Sequence, residues 1–228
     1  MLMKILVTGS AGHLGEALVR TLAPENEVVG LDVIDSAFTQ VVGTITDREF
    51  VESCMDGVDC VLHTATLHKP HMLTHTHQQF IDTNLTGTLS LLEAAAQARV
   101  KGFVYTSTTS TFGRALSPLE SEPTAWIDEH VTPVPKNIYG VTKTAAEDLC
   151  ELFHSNHGLA CIVLRTSRFF PEEDDNREAR STFDPDNLKV NEYLYRRVDI
   201  EDAAQAHILA MQRAAVLGFG KYIISAST

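Results

Sequence analysis

The feature that most constrains this chain is an alternation. Short apolar, β-branched runs (MKILVTG at 3–9, NEVVGLDV at 26–33, VDCVLHTA at 58–65, VKGFVYTST at 100–108, LACIVLRTS at 159–167) are separated by segments of helical period. The helical segments are HLGEALVRTLA at 13–23, TDREFVESCM at 46–55, FIDTNLTGTLSLLEAAAQAR at 80–99 and NIYGVTKTAAEDLCELFHSNHG at 137–158. A run of apolar residues on both faces of a strand needs cover on both sides, and only a crossover helix returns the chain for a parallel neighbour. The pattern therefore predicts an α/β fold, a doubly wound parallel sheet. Thr46 with Glu49 fits a capping box for the second helix, and Gly158 fits a helix stop.

The rhythm breaks once. Residues 171–187, PEEDDNREARSTFDPDN, are strongly acidic with a proline near each end, and read as a surface excursion or flap. One more helix, within RRVDIEDAAQAHILAMQRA, and one more strand, KYIIS, follow. The expected organisation is a main domain at 1–166, a substrate-side insertion at 167–198, and a helix and strand at 199–228 that return to the main domain.

Charge and composition exclude several functions. A formal charge of −12 in 228 residues opposes an electrostatic nucleic-acid or anionic-membrane binder. No apolar segment approaches membrane-spanning length. A cytoplasmic protein with a small-molecule partner is expected. Cys54, Cys60, Cys150 and Cys161 show no CxxC spacing, so neither a disulfide nor a structural zinc is expected.

Chemistry enters at LVTGSAGHLGEAL. Gly9, Gly12 and Gly15 directly follow a strand and span the opening of a helix, where a dinucleotide turn needs residues without Cβ and a helix N-terminus to face a pyrophosphate. Asp32, at the end of the next strand, can accept from both hydroxyls of an adenosine ribose and would repel a 2′-phosphate, which selects NAD over NADP. Tyr139 and Lys143 stand at i and i+4, one above the other on a helix face.

Thr8-Gly9-x-x-Gly12-x-x-Gly15, Asp32, HTAT at 63–66, NLTGT at 84–88, STTSTFG at 107–113 and YGVTK at 139–143 occur in this order. With them the chain resembles the extended short-chain dehydrogenase/reductase family, in particular its NAD-dependent epimerase/dehydratase branch. The resemblance covers nearly the whole chain. It implies a Rossmann-type fold with a small, truncated C-terminal substrate region, NAD as cofactor, and a homodimer through the two long helices at 78–99 and 138–157. It also implies Tyr139 as general acid/base, Lys143 as its partner and as the group holding the nicotinamide ribose, and Thr108 as the hydroxyl orienting the substrate oxygen.

Cofactor contacts implied by position are Gly9, Gly12, His13, Leu14, Gly15, Asp32, Val33, Thr44, Ile45, Ala65, Thr66 and Thr106, besides Tyr139 and Lys143. Substrate contacts implied are His68, Thr109, Ser110 and Arg168, with Arg177, Arg180, Arg196 and Arg197 as further cations for a phosphate-bearing substrate. Asn84 is expected to form a structural hydrogen bond between neighbouring elements. The departures are informative. Thr44-Ile45 replaces an Asp-Ile pair at the adenine, and Phe112 a second tyrosine. Thr108-Thr109-Ser110 stands where dehydratases of this branch carry Thr-Asp-Glu, so dehydration by that route is not expected. The loop HKPHMLTHTH, with His68, His71, His75 and His77, lacks acidic or thiolate company and is not expected to bind a metal.

Overall fold

The computed structural model describes residues 2–117, 119, 121, 123, 125–169 and 197–226. The acidic stretch 171–187 and Arg177, Arg180 and Arg196 lie outside them. Seven parallel strands make one sheet: β1 (Lys4–Thr8), β2 (Glu27–Asp32), β3 (Val41–Val42), β4 (Cys60–His63), β5 (Gly102–Thr108), β6 (Cys161–Thr166) and β7 (Phe219–Ile224). Their order is β3-β2-β1-β4-β5-β6-β7. The chain runs outward from β1 through β3, then returns to β4 on the other side of β1. That reversal opens a crevice at the carboxyl ends of β1 and β4, where ligands bind in open α/β sheets.

Among the described residues, six α-helices flank the sheet: α1 (His13–Leu22), α2 (Arg48–Ser53), α3 (His77–Ile81), α4 (Gly87–Gln97), α5 (Ile138–His157) and α6 (Ile200–Leu217). One core joins Leu6, Val61, Phe103 and Val163 of the strands to Val51, Leu91, Leu92 and Cys150 of α2, α4 and α5. The other joins Ile5, Val7, Leu62 and Ile162 to Leu14, Leu18, Ala203 and Met211 of α1 and α6. Alternate residues of each central strand thus feed opposite cores, which is why those strands read as unbroken apolar runs.

Local differences from the sequence expectations have identifiable causes. The second helix is capped by Asp47, which accepts from the Phe50 N–H at 3.1 Å. Thr46 is instead engaged with the Thr44 hydroxyl at 2.9 Å, so the carboxylate one residue later takes the capping role. The long helix foreseen at 80–99 is α3 and α4 joined by a π-helical turn at Asp82–Thr86. Gly158 stops α5 in the left-handed conformation, at φ 68°.

Candidate active site

The glycine turn is built by close approach. Gly9 has φ +74°, and its N–H donates to Leu31 O at 2.8 Å, tying the end of β1 to β2. A Cβ at Gly15 would lie 2.0 Å from the Gly9 carbonyl oxygen, whereas one at Gly12 would meet nothing nearer than 3.2 Å. Gly15 therefore lets α1 pack onto the turn. Gly12 occupies the N-cap without a side-chain cap, so the first N–H groups of α1 remain available to an anion. Asp32 closes the arrangement: its Oδ2 accepts from Ala11 N–H and its Oδ1 from Ile34 N–H, both at 3.0 Å.

Behind the turn, His63 is buried at the end of β4 and bridges β1 to α4. Thr88 donates its hydroxyl proton to Asn84 O at 2.7 Å, so it must accept from His63 Nε2–H at 2.9 Å. Nδ1 then accepts from the Thr8 hydroxyl at 2.7 Å. The ring is a neutral Nε2–H tautomer, its pKa pushed down to about 3 by burial and by the nearby Lys143.

Asn84, inside the π turn, is the cross-link foreseen for it. Its Oδ1 accepts from Leu67 N–H at 2.7 Å and the Thr66 hydroxyl at 3.0 Å, and its amide donates to Leu67 O at 2.8 Å and Thr142 Oγ1 at 3.1 Å. The loop after β4 is thereby fixed to α5. The histidine loop continues as a 3₁₀ turn over Lys69–Leu73, in which His68 N–H donates to His71 Nδ1 at 3.0 Å. The rings of His68 and His71 meet edge to face at 4.4 Å, and those of His71 and His75 at 5.2 Å.

The α5 helix starts at Asn137, whose side chain accepts from Gly140 N–H, and presents Tyr139 and Lys143 to the sheet. Lys143 is 2% exposed; its ammonium donates to Thr106 O at 2.5 Å and lies 4.2 Å from the Tyr105 ring centre. Burial lowers its pKa to about 7, against the opposing attraction of Glu147. Burial also raises the Tyr139 phenol to about 12, and a hydrogen bond with Thr108 offsets part of that rise.

One cleft of about 2110 Å³ is lined by Thr108 and by all the expected cofactor and substrate positions named above except the four further arginines, of which Arg197, the one among the described residues, lies outside its lining. It is wider than a pocket for a single drug-sized ligand, and has room for a dinucleotide with a second molecule. The positions nevertheless differ in what they offer. Leu14 and Ile45 are buried in the two cores, so their side chains serve packing first. Thr106 is occupied at both polar groups: its carbonyl takes Lys143 and its hydroxyl donates to His207 Nε2 at 2.8 Å. Arg168 joins Arg197 in an isolated parallel bridge, which places both ends of segment 169–197 beside the cleft.

Sequence reasoning passed over Ser107, Glu147, Arg165 and His207. For Glu147 a signal existed, since it stands four residues after Lys143 and eight after Tyr139 on one helix face.

A glycine turn with a strand-end acid, facing a Tyr–Lys helix across the switch point of a parallel sheet, defines a dinucleotide-dependent short-chain dehydrogenase/reductase architecture. A model of the NAD dependent epimerase/dehydratase family matches residues 5–224, and the chain belongs to that family. The family's cofactor is NAD, and the residues present fit it: Gly9 and Gly15 let the turn close tightly against Ala65 and α1, and the uncapped start of α1 suits a pyrophosphate.

Among relatives, a uronate dehydrogenase of Pseudomonas syringae pv. tomato is 26% identical over 79% of this chain, which spans 64% of its length. A UDP-glucose 4-epimerase of Streptomyces lividans is 28% identical, with 92% of this chain and 72% of the relative aligned. Among solved structures, a short-chain dehydrogenase/reductase superfamily protein from Agrobacterium tumefaciens with bound NAD has a TM-score of 0.79 at 24% identity, covering 98% of this chain and 77% of that one. This structural likeness concerns the fold. Relatives also include dTDP-glucose 4,6-dehydratases.

Proposed function

We propose that this chain acts as an NAD-dependent oxidoreductase or epimerase at a hydroxyl-bearing carbon of a sugar, nucleotide-sugar or related small polyol, with Tyr139 moving the hydroxyl proton. The observation that carries the reading is the position of Tyr139 on one wall of the cleft, beside Thr108 and one turn from Lys143, opposite the glycine turn. Bound NAD⁺ supplies a hydride acceptor and a positive charge.

Everything else is work for the side chains. With its pKa near 12, Tyr139 resists deprotonation at neutral pH by about 7 kcal/mol, so a base role requires positive charge nearby. The Lys143 ammonium is the protein's own source of it. Thr108, in contact with the phenol, is placed to share the substrate hydroxyl and aim its proton at Tyr139. Thr109, Ser110, His68 and Arg168 also line the cleft and offer hydrogen bonds to a polyhydroxylated ligand. An acid for dehydration has no counterpart at Thr109 or Ser110, and this favours oxidation or epimerisation.

The test is NADH appearance at 340 nm with NAD⁺ and a panel of sugars, sugar acids and nucleotide-sugars, with NMR product analysis to detect epimers and Tyr139→Phe as control. Turnover with one panel member that the control lowers at least about a hundredfold, while NAD still binds, is the expected result. NAD binding without NADH or epimer formation across the panel, or a fully active Tyr139→Phe, would overturn the proposal.

A further inference from the structure

Three successive turns of α5 face three successive residues of β5, two of them through hydrogen bonds. Tyr139 meets Thr108, Lys143 donates to Thr106 O, and Glu147 Oε1 accepts from the Ser107 hydroxyl at 2.5 Å. Strand β6 adds a third element, because the parallel register sets Arg165 beside Ser107. Arg165 grips the same carboxylate through Nε, at 3.1 Å from both oxygens, and through Nη2 at 2.7 Å from Oε2. Glu147 is fully buried, and Arg165 is 3% exposed beneath the Phe112 ring, 5.0 Å from its centre.

This network is poorly explained by stability. A buried ion pair is commonly no better than apolar residues of the same volume, and it comes closest to repaying its desolvation only when every donor is satisfied. Here Arg165 Nη1 has no hydrogen-bond partner among the described residues. What the pair does provide is a carboxylate fixed one helical turn from a buried lysine. Ionisable groups near that lysine are Tyr139, Glu147 and Cys150 on α5, Tyr105 on β5 and His63 on β4, and Arg165 on β6 is bonded to the Glu147 carboxylate. Burial keeps Tyr139, Tyr105 and Cys150 protonated and His63 neutral. Of these groups Glu147 is the one carboxylate, gripped by the Arg165 guanidinium.

We propose that Glu147 is a positioning residue for the Tyr139–Lys143 pair: locked by Ser107 and Arg165, its carboxylate holds α5 in register with β5 and keeps Lys143 in the ammonium form that supports Tyr139. The proposal rests on the roles given above to Tyr139 and Lys143, but its test does not need turnover. Without Glu147, burial acts on Lys143 unopposed and the ammonium is lost at lower pH.

The experiment follows the Lys143 Cε–Nζ NMR signal of lysine-labelled protein against pH, without NAD or substrate, using Lys143→Arg for assignment. In Glu147→Gln the midpoint is expected to fall by about one pH unit or more. Because Glu147→Gln strands the Arg165 guanidinium in the interior and can prevent folding, Glu147→Gln/Arg165→Met removes both charges at similar volume. The midpoint is expected to fall in this variant too. A Lys143 midpoint unchanged in whichever of these variants folds overturns the proposal. A lowered midpoint in a protein that turns over nothing in the panel supports it and refutes only the catalytic reading.

Discussion

Acidification from about pH 7 to about pH 5 should destabilise this protein through two buried imidazoles. His207 is fully buried on α6; its Nδ1–H donates to Ala203 O at 2.7 Å and its Nε2 accepts from Thr106. His63 is held as the Nε2–H tautomer between Thr8 and Thr88. Both rings already use both nitrogens as a neutral donor and acceptor, so a second proton would break one bond and charge a dry site. Burial lowers the pKa of His207 to about 4, and burial with Lys143 lowers that of His63 to about 3. An unfolded histidine titrates near 6.5.

Between those values the unfolded chain binds the proton and the folded chain does not. Stability is therefore full above about pH 6.5, falls as pH drops below it, and stops falling only near the folded pKa. At about pH 5 each unfolded ring is almost wholly protonated and each folded ring almost wholly neutral. The loss is then about 2 kcal/mol per histidine, about 4 kcal/mol for the two, and depends little on the folded values.

Urea denaturation of the wild type and of His207→Gln at both pH values isolates the term. The glutamine oxygen can accept from Thr106 but cannot titrate. The wild type should lose about 2 kcal/mol more than the variant over this range, with the remaining titrating groups cancelling in the difference. Equal losses in both proteins would refute the reasoning.

Two further outcomes follow from the cleft itself. Gly15→Ala puts a methyl group 2.0 Å from the Gly9 carbonyl oxygen, so the turn must open, and NAD affinity measured by calorimetry should fall at least about tenfold while the protein stays folded. Asn84→Leu leaves the groups of Thr66, Leu67 and Thr142 that Asn84 served without it, and should cost about 3 kcal/mol or more in urea unfolding.

Much of the site was readable because its chemistry is local. The glycine turn occupies seven residues and the Tyr–Lys pair one helical turn, so spacing alone carried the geometry. Asp32 was readable as the end of an apolar strand. What escaped depends on register between distant segments. Arg165 reaches Glu147 only once β6 lies parallel to β5, and His207 reaches Thr106 across 101 residues of sequence. The β3 strand, Val41–Val42, is too short to leave a periodicity. The π turn is equally invisible, since its residues have ordinary helical composition and the altered winding shows in the backbone bond from Gly87 N–H to Asp82 O, five residues back.

That altered winding sets an angle. A π turn accommodates one residue more than the α-helix around it, and one residue in an α-helix is about 100° of rotation. Excising a single residue from Asp82–Thr86 would let α3 and α4 fuse into one uninterrupted cylinder. Everything before it, including the wall of edge-to-face imidazoles, would then be turned by more than a quarter of a revolution relative to α4. The direction in which His68, His71 and His75 face the cleft is thus encoded some ten residues downstream of them, as the phase of a helix.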